Sequence, residues 1–217
     1  MRTTVGRVLL APVILSLAIA GLRAAEPEPA APADQGADPP AGYILIASAR
    51  MQDPRFDHTV VLLLKHDKSG AFGIIVNRPV AEKPIAALLA EAGAAAKEPD
   101  RTDDKIEGSI AIYFGGPVQT DRGFVLHSTD YRGPDTMAVD TAIAMTSTRE
   151  ILRDIGRNRG PKKYLFALGY AGWGPGQLEG EIERRDWFSA VEDPELVFDA
   201  ARARVWERAL AGRSREL

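Results

Sequence analysis

The hydrophobic positions after residue 42 fall into short runs that predict β-strands. Thr59–Lys65 is apolar on both faces and rich in β-branched residues and leucine, which favours a central strand. Asp67–Gly70 has the composition of a turn, and Ala71–Asn77 follows it, so the two runs are predicted to form a hairpin. Further strands are expected at Tyr43–Ala47, Ser109–Phe114, Gly123–Ser128, Met137–Val139, Lys163–Leu168 and Phe188–Val191.

Helical periodicity separates and follows these strands. Pro84 suits the first position of a helix that extends to about Ala96, with apolar residues three and four apart. Other helices are expected at Ser147–Arg157, around Leu178–Ile182, and from Asp193-Pro194 to about Ala211. Hairpins mixed with helices, without regular strand–helix alternation, predict one α+β domain over residues 42–217.

The first 41 residues have a different pattern. Arg2 and Arg7 precede the apolar run Val8–Leu22, and small residues follow at Ala24-Ala25. This is the order of a secretory signal peptide, and the run is short for a membrane-spanning helix. We therefore expect cleavage after Ala24 and a periplasmic or secreted protein, the alternative being a protein anchored by an uncleaved N-terminal segment. Residues 25–41 are rich in Pro and Ala and predict a flexible linker.

Composition narrows the chemistry. The 217-residue chain contains no cysteine, which excludes disulfides and a cysteine nucleophile. Removal of Arg2, Arg7 and Arg23 with the leader leaves 24 basic against 30 acidic residues. An acidic balance disfavours a nucleic-acid partner, because binding to phosphate backbones needs a basic face. No membrane span is expected in the mature form.

Several ordered motifs resemble one family of bacterial proteins, the AlgH/YqgE family. The motifs are Asp53–Phe56, Thr59–Leu63, Gly70–Pro79, Tyr113–Val118, Arg122–His127 and Ala167–Glu179. The resemblance extends over essentially the whole mature domain. It implies a mixed, bifurcated β-sheet curled into a pseudo-barrel with flanking helices, and it implies no settled activity. Some members carry a transcriptional-regulator label, but no DNA-binding motif supports that label in this chain, and export would rule out direct regulation.

The glycine-rich stretch Gly169–Gly176 is the sharpest candidate for a ligand site. It is predicted to follow a strand and to open a helix, where backbone N–H groups of Gly172, Trp173 and Gly174 could hold an anion beside Gln177. It has neither Walker nor dinucleotide-binding spacing. Acidic residues after Gln177 would repel phosphate. The competing interpretation is a tight turn that carries aromatic residues into the core.

The other candidates also have structural alternatives. Asn77 and Arg78 end a strand, and the Arg78 guanidinium could bind a carboxylate or could cap backbone carbonyls. Gly115-Gly116 could form an oxyanion nest or a turn. Arg122 and His127 flank a short strand on opposite faces, where His127 could act as a base or be structural.

For a second group of residues the sequence pattern favours structural roles. Asp53 could open a specificity loop, or an Asx turn that seats Phe56 in the core. His58 and His66 lie eight residues apart, about 26 Å along a strand, so they are too distant to share a metal. The sequence therefore predicts neither a metal site nor a cofactor.

The sequence shows no nucleophile–base pair, metal cluster or cofactor motif. This favours a non-enzymatic domain that binds a protein or small-molecule partner, without identifying that partner. The alternative is an enzyme of unknown class whose site would gather Arg78, Arg122, His127 and Gly172–Gln177. A transcriptional regulator is the disfavoured third interpretation.

The leader makes a direct prediction about the mature chain. Mass spectrometry of protein purified from its native cells should show a chain that begins at Ala25, because the small residues after the apolar run suit signal peptidase. A mature chain beginning at Met1 in the cytosolic fraction would contradict both the cleavage and the export.

Overall fold

The computed structural model of the protein describes residues 39–96, 105–198 and 201–213. The predicted leader, residues 1–24, and most of the predicted linker lie outside these residues. The strands are β1 (Tyr43–Ala47), β2 (Val60–Asp67), β3 (Gly70–Ile75), β4 (Pro79–Pro84), β5 (Ser109–Phe114), β6 (Val118–Ser128), β7 (Met137–Ala138), β8 (Ile143–Thr146), β9 (Tyr164–Trp173) and β10 (Trp187–Val191). The helices are α1 (Ile85–Ala96), α2 (Arg149–Gly156), α3 (Gln177–Glu183), α4 (Pro194–Val197) and α5 (Val205–Arg213), with a 3-10 turn at Arg202–Arg204.

The strands form one mixed sheet that branches at β9. The main path is β10-β1-β2-β3-β9-β6-β8-β7, while β4 pairs with β5 and β5 joins β9. All pairings are antiparallel except that of β5 with β9. The C-terminal half of β9 pairs with β3 and its N-terminal half pairs with β5 and β6. This confirms the predicted α+β class with a bifurcated, curled sheet.

Gly169 is the point at which β9 changes direction. Leu165 and Ala167 lie in the interior cluster before it, on odd positions, whereas Tyr170 packs against the same cluster after it, on an even position. A side chain alternates faces along a regular strand, so one residue has been absorbed as a bulge. Gly169 has φ of 73°, the left-handed conformation that glycine adopts without strain.

Three apolar layers pack on the two faces of this branched sheet. The largest contains side chains from both ends of the strand order together with Leu196 and Val205 of the C-terminal helices, so it lies inside the curl. The second covers the outer face of β1–β3 under α3 and the loop at Phe56. The third lies between β5, β6 and the helices α1 and α2. Burial of these three layers supplies the main driving force for folding.

The structure corrects the predicted role of the glycine-rich stretch. Gly169–Trp173 continues β9 as a strand, and the turn is limited to the residues between Trp173 and Gln177. The prediction was wrong because glycine in this segment serves close strand packing. The carbonyl oxygen of Gly116 and the backbone of Thr120 lie against Gly169, where a side chain would not fit.

Other boundaries also differ from the sequence prediction. Pro79 begins the strand β4, which was missed because its exposed residues carry no apolar alternation. Proline is tolerated in β4 because within the described residues the strand pairs only with β5, as an edge strand does. The predicted C-terminal helix is divided into α4, the 3-10 turn and α5. No helix among the described residues is long and apolar enough to cross a membrane.

Arg202 and Trp206 attach the C-terminal helices to the sheet. The Arg202 guanidinium donates to the Tyr113 hydroxyl at 2.9 Å and to the Val197 carbonyl at 2.7 Å. The Trp206 indole N–H donates to the Ala47 carbonyl at 2.8 Å. These bonds satisfy the carbonyls at the end of β1 and at the end of α4, and so they fix the helices over the interior of the curl.

The close approach at Gly169 can be separated from its backbone conformation. Gly169 and Gly176 share φ of 73°, but a Cβ at Gly176 would meet no atom within 4 Å, whereas one at Gly169 would overlap the Gly116 carbonyl. We expect Gly176→Ala to lower the free energy of unfolding by about 1 kcal/mol. We expect Gly169→Ala to lower it by about 4 kcal/mol or to prevent folding. If the two variants had the same melting temperature, the close approach of Gly169 to the Gly116 carbonyl would not be what requires glycine at this position.

Candidate functional site

The surface loop Asp53–Thr59, called here the clamped loop, begins with an Asx turn. The Arg55 backbone N–H donates to Asp53 Oδ1 at 2.9 Å, and the Phe56 N–H donates to the Asp53 carbonyl at 2.9 Å. The Arg55 side chain also contacts Asp53, with Nη2 and Oδ2 2.6 Å apart. This hydrogen bonding holds the pKa of the Asp53 carboxyl below its ordinary value. The structure therefore contains the Asx turn that the sequence offered as an alternative.

Arg78 and Asn77 hold the rest of the clamped loop from beneath. The Arg78 guanidinium donates from Nη1 to the Arg55 carbonyl at 2.6 Å and from Nη2 to the Asp57 carbonyl at 2.7 Å. Asn77 donates to the His58 carbonyl at 2.9 Å and accepts from the Val60 N–H at 2.9 Å. Both side chains lie in the short connection between β3 and β4, so the ends of two strands position them. Arg78 thus caps backbone carbonyls.

Phe56 anchors the clamped loop in an aromatic cluster. Its ring is stacked on Trp173 with centroids 6.4 Å apart and meets the edge of Trp187 at 5.4 Å. Trp173 and Trp187 are buried and lie 5.9 Å apart in a T-shaped arrangement. Such aromatic contacts add about 0.5–1.5 kcal/mol each beyond the burial of their area.

Glu181 of α3 satisfies both tryptophans. Its Oε2 accepts from the Trp173 and Trp187 indole N–H groups, each at 2.8 Å, and its Oε1 accepts from Gln177 Nε2 at 2.9 Å. The Gln177 Oε1 in turn accepts from the Gly174 N–H at 3.1 Å. The network joins the turn after β9 to α3, and it uses the N–H group that an anion would need.

The tip of the clamped loop remains exposed and charged. The side chains of Arg55, Asp57 and His58 are 59%, 52% and 54% exposed. His58 Nδ1 lies 2.6 Å from Asp57 Oδ1, and the ring packs against Trp206 at 4.2 Å. His58 also has φ of 53°, the left-handed region that side chains rarely occupy. The loop thus presents polar groups on a backbone held from below.

Gly115 and Gly116 lie where the backbone after β5 passes close to β9 at Gly169, a place called here the strand crossing. The Gly115 N–H donates to the Leu168 carbonyl at 2.8 Å, and its own carbonyl accepts from the Ile75 N–H at 2.9 Å. A Cβ on either glycine would overlap backbone atoms of β9. Since this N–H is already paired, Gly115 serves the junction of β3, β5 and β9 and cannot donate to an oxyanion without breaking that bond.

Gly172, Trp173 and Gly174 do not frame an anion site. Gly172 lies inside β9 opposite Phe72, and Trp173 is part of the aromatic cluster. The helix α3 that follows has only seven residues, and Glu179 lies in its first turn. A negative charge at that position opposes anion binding. The aromatic residues of this stretch do pack in the core, but they reach it from the strand β9 and not from the tight turn that was the alternative interpretation.

His127 is fully buried at the centre of a chain of hydrogen bonds. Its Nδ1 faces the Ser128 carbonyl at 3.0 Å, so Nδ1 carries the hydrogen and Nε2 accepts from the Thr146 hydroxyl at 3.0 Å. Thr146 Oγ1 lies 2.7 Å from Thr136 Oγ1. Burial lowers the pKa of the His127 imidazole. The ring is therefore a neutral, satisfied core group.

The structure does not bring the candidate residues into one cleft. His127 pairs with Tyr164 in the first half of β9, while Gly172 lies eight residues further along, opposite Phe72 in the second half. Arg122 lies over the Phe124 ring at 5.2 Å and contacts Gln119. An open depression of ≈ 550 Å³ near the C-terminal end of α2 is lined by none of these residues; its lining is Lys105, Glu107, Gly156, Arg157, Asn158 and Arg159.

Only part of the predicted set forms a neighbourhood. Asn77, Arg78, Trp173 and Gln177 lie around the clamped loop and its aromatic cluster. Trp187 and Glu181, which complete the cluster, were not among the candidates that the sequence offered. The acidic residues after Gln177 were weighed only as repulsive charges, whereas two indole donors lacking partners could have indicated a buried carboxylate.

The fold and this loop-centred arrangement define the class of protein. It is an α+β domain with a curled, branched sheet and a surface loop held by Asn77 and Arg78. The AlgH-like family model matches residues 44–216, and the chain belongs to that family.

Curated relatives and solved structures agree with this assignment. A UPF0301 protein of Jannaschia sp. (strain CCS1) is 45% identical over 174 residues, 78% of this chain and 85% of the relative. A UPF0301 protein of Rhodospirillum rubrum is 41% identical over 160 residues, 74% of this chain and 80% of the relative.

The solution structure of AlgH from Pseudomonas aeruginosa has 38% identity and a TM-score of 0.63, covering 81% of this chain and 87% of that one. A Corynebacterium diphtheriae protein at 21% identity shares the fold, with a TM-score of 0.60 over 81% of this chain and 88% of that one. The family that the motifs predicted is therefore confirmed.

The clamp generates a testable local prediction. Arg78→Lys should leave the fold intact but speed hydrogen exchange at the Phe56 and Thr59 amides about tenfold, because one ammonium cannot bridge two carbonyls as the planar guanidinium does. Arg122→Lys is the matched control, since Arg122 lies away from the loop over Phe124. Unchanged exchange at both amides in Arg78→Lys would refute the clamp.

Proposed function

We propose that the domain is an exported, non-enzymatic binding module that uses the clamped loop to recognise a protein or small-molecule partner. The observation that carries the proposal is the set of hydrogen bonds from Arg78 and Asn77 to three carbonyls of an exposed loop. A loop held on a rigid scaffold loses little conformational entropy when it binds.

A non-enzymatic role is supported by the structural contacts of the side chains that could otherwise act in catalysis. His127 is buried among hydroxyl and carbonyl partners, and Arg78 spends its guanidinium on backbone carbonyls. A general base must reach a proton on its substrate, and a fully buried imidazole does not.

The exposed groups of the clamped loop suit a polar partner. Arg55 and His58 offer donors, and Asp53 and Asp57 offer acceptors, on neighbouring positions. Each charge has an intramolecular partner at the surface, where such pairs are worth only about 0–1 kcal/mol. A partner with a complementary carboxylate or guanidinium can therefore replace them at low cost.

Export is proposed from the leader alone. The charged start, the apolar run Val8–Leu22 and the small residues at Ala24-Ala25 support a cleaved signal peptide. Direct transcriptional regulation does not fit an exported protein.

The binding role is tested with a loop variant of unchanged fold. The assay cross-links the protein to its partner in periplasmic extract. We expect the double variant Arg55→Ala/Asp57→Ala to reduce the amount of cross-linked partner about tenfold. The control Glu82→Ala changes an exposed residue of β4 and should leave that amount unchanged. The free energy of unfolding of the loop variant should lie within about 0.5 kcal/mol of the wild-type value, because both side chains are exposed. Retention of every partner by the loop variant, or turnover in a broad substrate screen, would refute the proposal.

A further inference from the structure

The two ends of the strand order meet at Asp140. This residue lies in the turn between β7 and β8, at one end of the sheet, and a Cβ placed on Gly42 would lie 3.4 Å from the Asp140 Cβ. Gly42 directly precedes β1, which pairs with β10 at the other end of the sheet. We call this junction between the β7–β8 turn and the end of β10 the seam. It closes the curl without ladder pairing between β7 and β10.

Asp140 and Glu192 are the acidic side chains at the seam. Asp140 uses Oδ1 to accept from the Ala142 and Ile143 N–H groups at 2.6 and 2.8 Å, which closes the tight turn before β8. Glu192 directly follows β10, and the pairing of Tyr43 with Val191 places it opposite Gly42, which lies beside Asp140. The side chains thus join one end of the sheet to the other.

The second oxygen of each group lacks a conventional donor. Asp140 Oδ2 and Glu192 Oε2 are both buried, and neither accepts a hydrogen bond from any N–H or O–H group that the structure describes. Two ionised carboxylates cannot hydrogen-bond each other, but a carboxylic acid donates strongly to a carboxylate. One shared proton satisfies both oxygens, and it removes one of two negative charges in a buried position.

We propose that Asp140 and Glu192 form a proton-operated latch, closed while the two groups share one proton and released when that proton is lost to solvent. Loss of the proton leaves two adjacent carboxylates, and Asp193 adds a third negative charge beside Glu192. From β1 the seam receives Gly42, which carries no charge. The two charges that act on Glu192, those of Asp140 and Asp193, are both negative.

Release of the latch acts on the C-terminal helices and the interior of the curl. Asp193 caps α4 by accepting from the Glu195 N–H at 2.8 Å, and α4 buries Leu196 and Val197 in the interior cluster. Val139, next to Asp140, packs against the same cluster. Separation of the seam therefore pulls on two elements that cover apolar residues, and opening exposes that apolar interior.

The direction of the pH effect follows from Glu192. Burial, with the Asp140 charge, raises the pKa of the Glu192 carboxyl from 4.5 to about 8. The folded state therefore keeps a proton that the unfolded chain releases, so stability falls as pH rises from about 4.5 to about 8. The ionised fraction of Glu192 rises from about one tenth at pH 7 to about nine tenths at pH 9.

The test compares hydrogen exchange of wild type, Glu192→Gln and Asp140→Asn between pH 6 and pH 9.5, corrected for intrinsic base catalysis. In wild type, amides of residues 139–143 and 188–197 should lose protection about tenfold between pH 7 and pH 9. Glu192→Gln keeps a donor toward Asp140 and cannot ionise, so its protection should stay level. Asp140→Asn keeps the turn-capping oxygen and removes the repelling charge, so it should lower the pKa of Glu192 and move the loss of protection to lower pH.

Glu82→Gln on β4 is the control and should behave as wild type. Carbon-13 NMR of the Glu192 side-chain carboxyl should report a midpoint near 8. A midpoint near 4.5, or the same pH profile in wild type and Glu192→Gln, would overturn the latch. Protection at pH 9 that returns with millimolar calcium in wild type but not in Glu192→Gln would also overturn it, because a cation rather than a proton would then join the carboxylates.

Discussion

The close backbone crossing at Gly169 and Gly115-Gly116 is the constraint on which the other features of the fold depend. One strand, β9, pairs with β3 along its second half and with β5 and β6 along its first half. The bulge at Gly169 exchanges the two faces of β9, so that Tyr170 continues the interior layer. A side chain at this crossing would overlap a backbone carbonyl, so the branch of the sheet requires glycine there.

The branch also explains where the organised surface lies. After the crossing β9 delivers Trp173 to the outer face of the sheet, where Trp187 of β10 and Phe56 complete an aromatic cluster. Glu181 satisfies both indoles, and β3 ends where Asn77 and Arg78 reach the clamped loop. Arg78 and Gln177, which the sequence offered as candidates for a site, thus hold the clamped loop and the aromatic cluster in place. His127 also has a structural role, because its hydrogen bond with Thr146 links β6 to β8.

Much of the fold could be predicted because its signals are local. The apolar run Thr59–Lys65 and the turn at Asp67–Gly70 determine a hairpin by composition, and the ordered motifs indicate the family. Strand β4 could not be predicted, because an exposed edge strand needs no apolar alternation. The extension of β9 through Gly169 could not be predicted either, since glycine serves turns and close strand approaches equally well in a local pattern.

The sequence by itself determined the class of domain, the order of most strands and helices, and the residue types available for chemistry, because periodicity and composition act over a few neighbouring residues. Only the tertiary structure decided what those residues do. Arg78 meets the Arg55 carbonyl 23 positions away, and Glu192 meets Asp140 across the seam of the sheet. Such partners are chosen by the path of the whole chain, and no local pattern encodes which distant group will satisfy a guanidinium or share a proton.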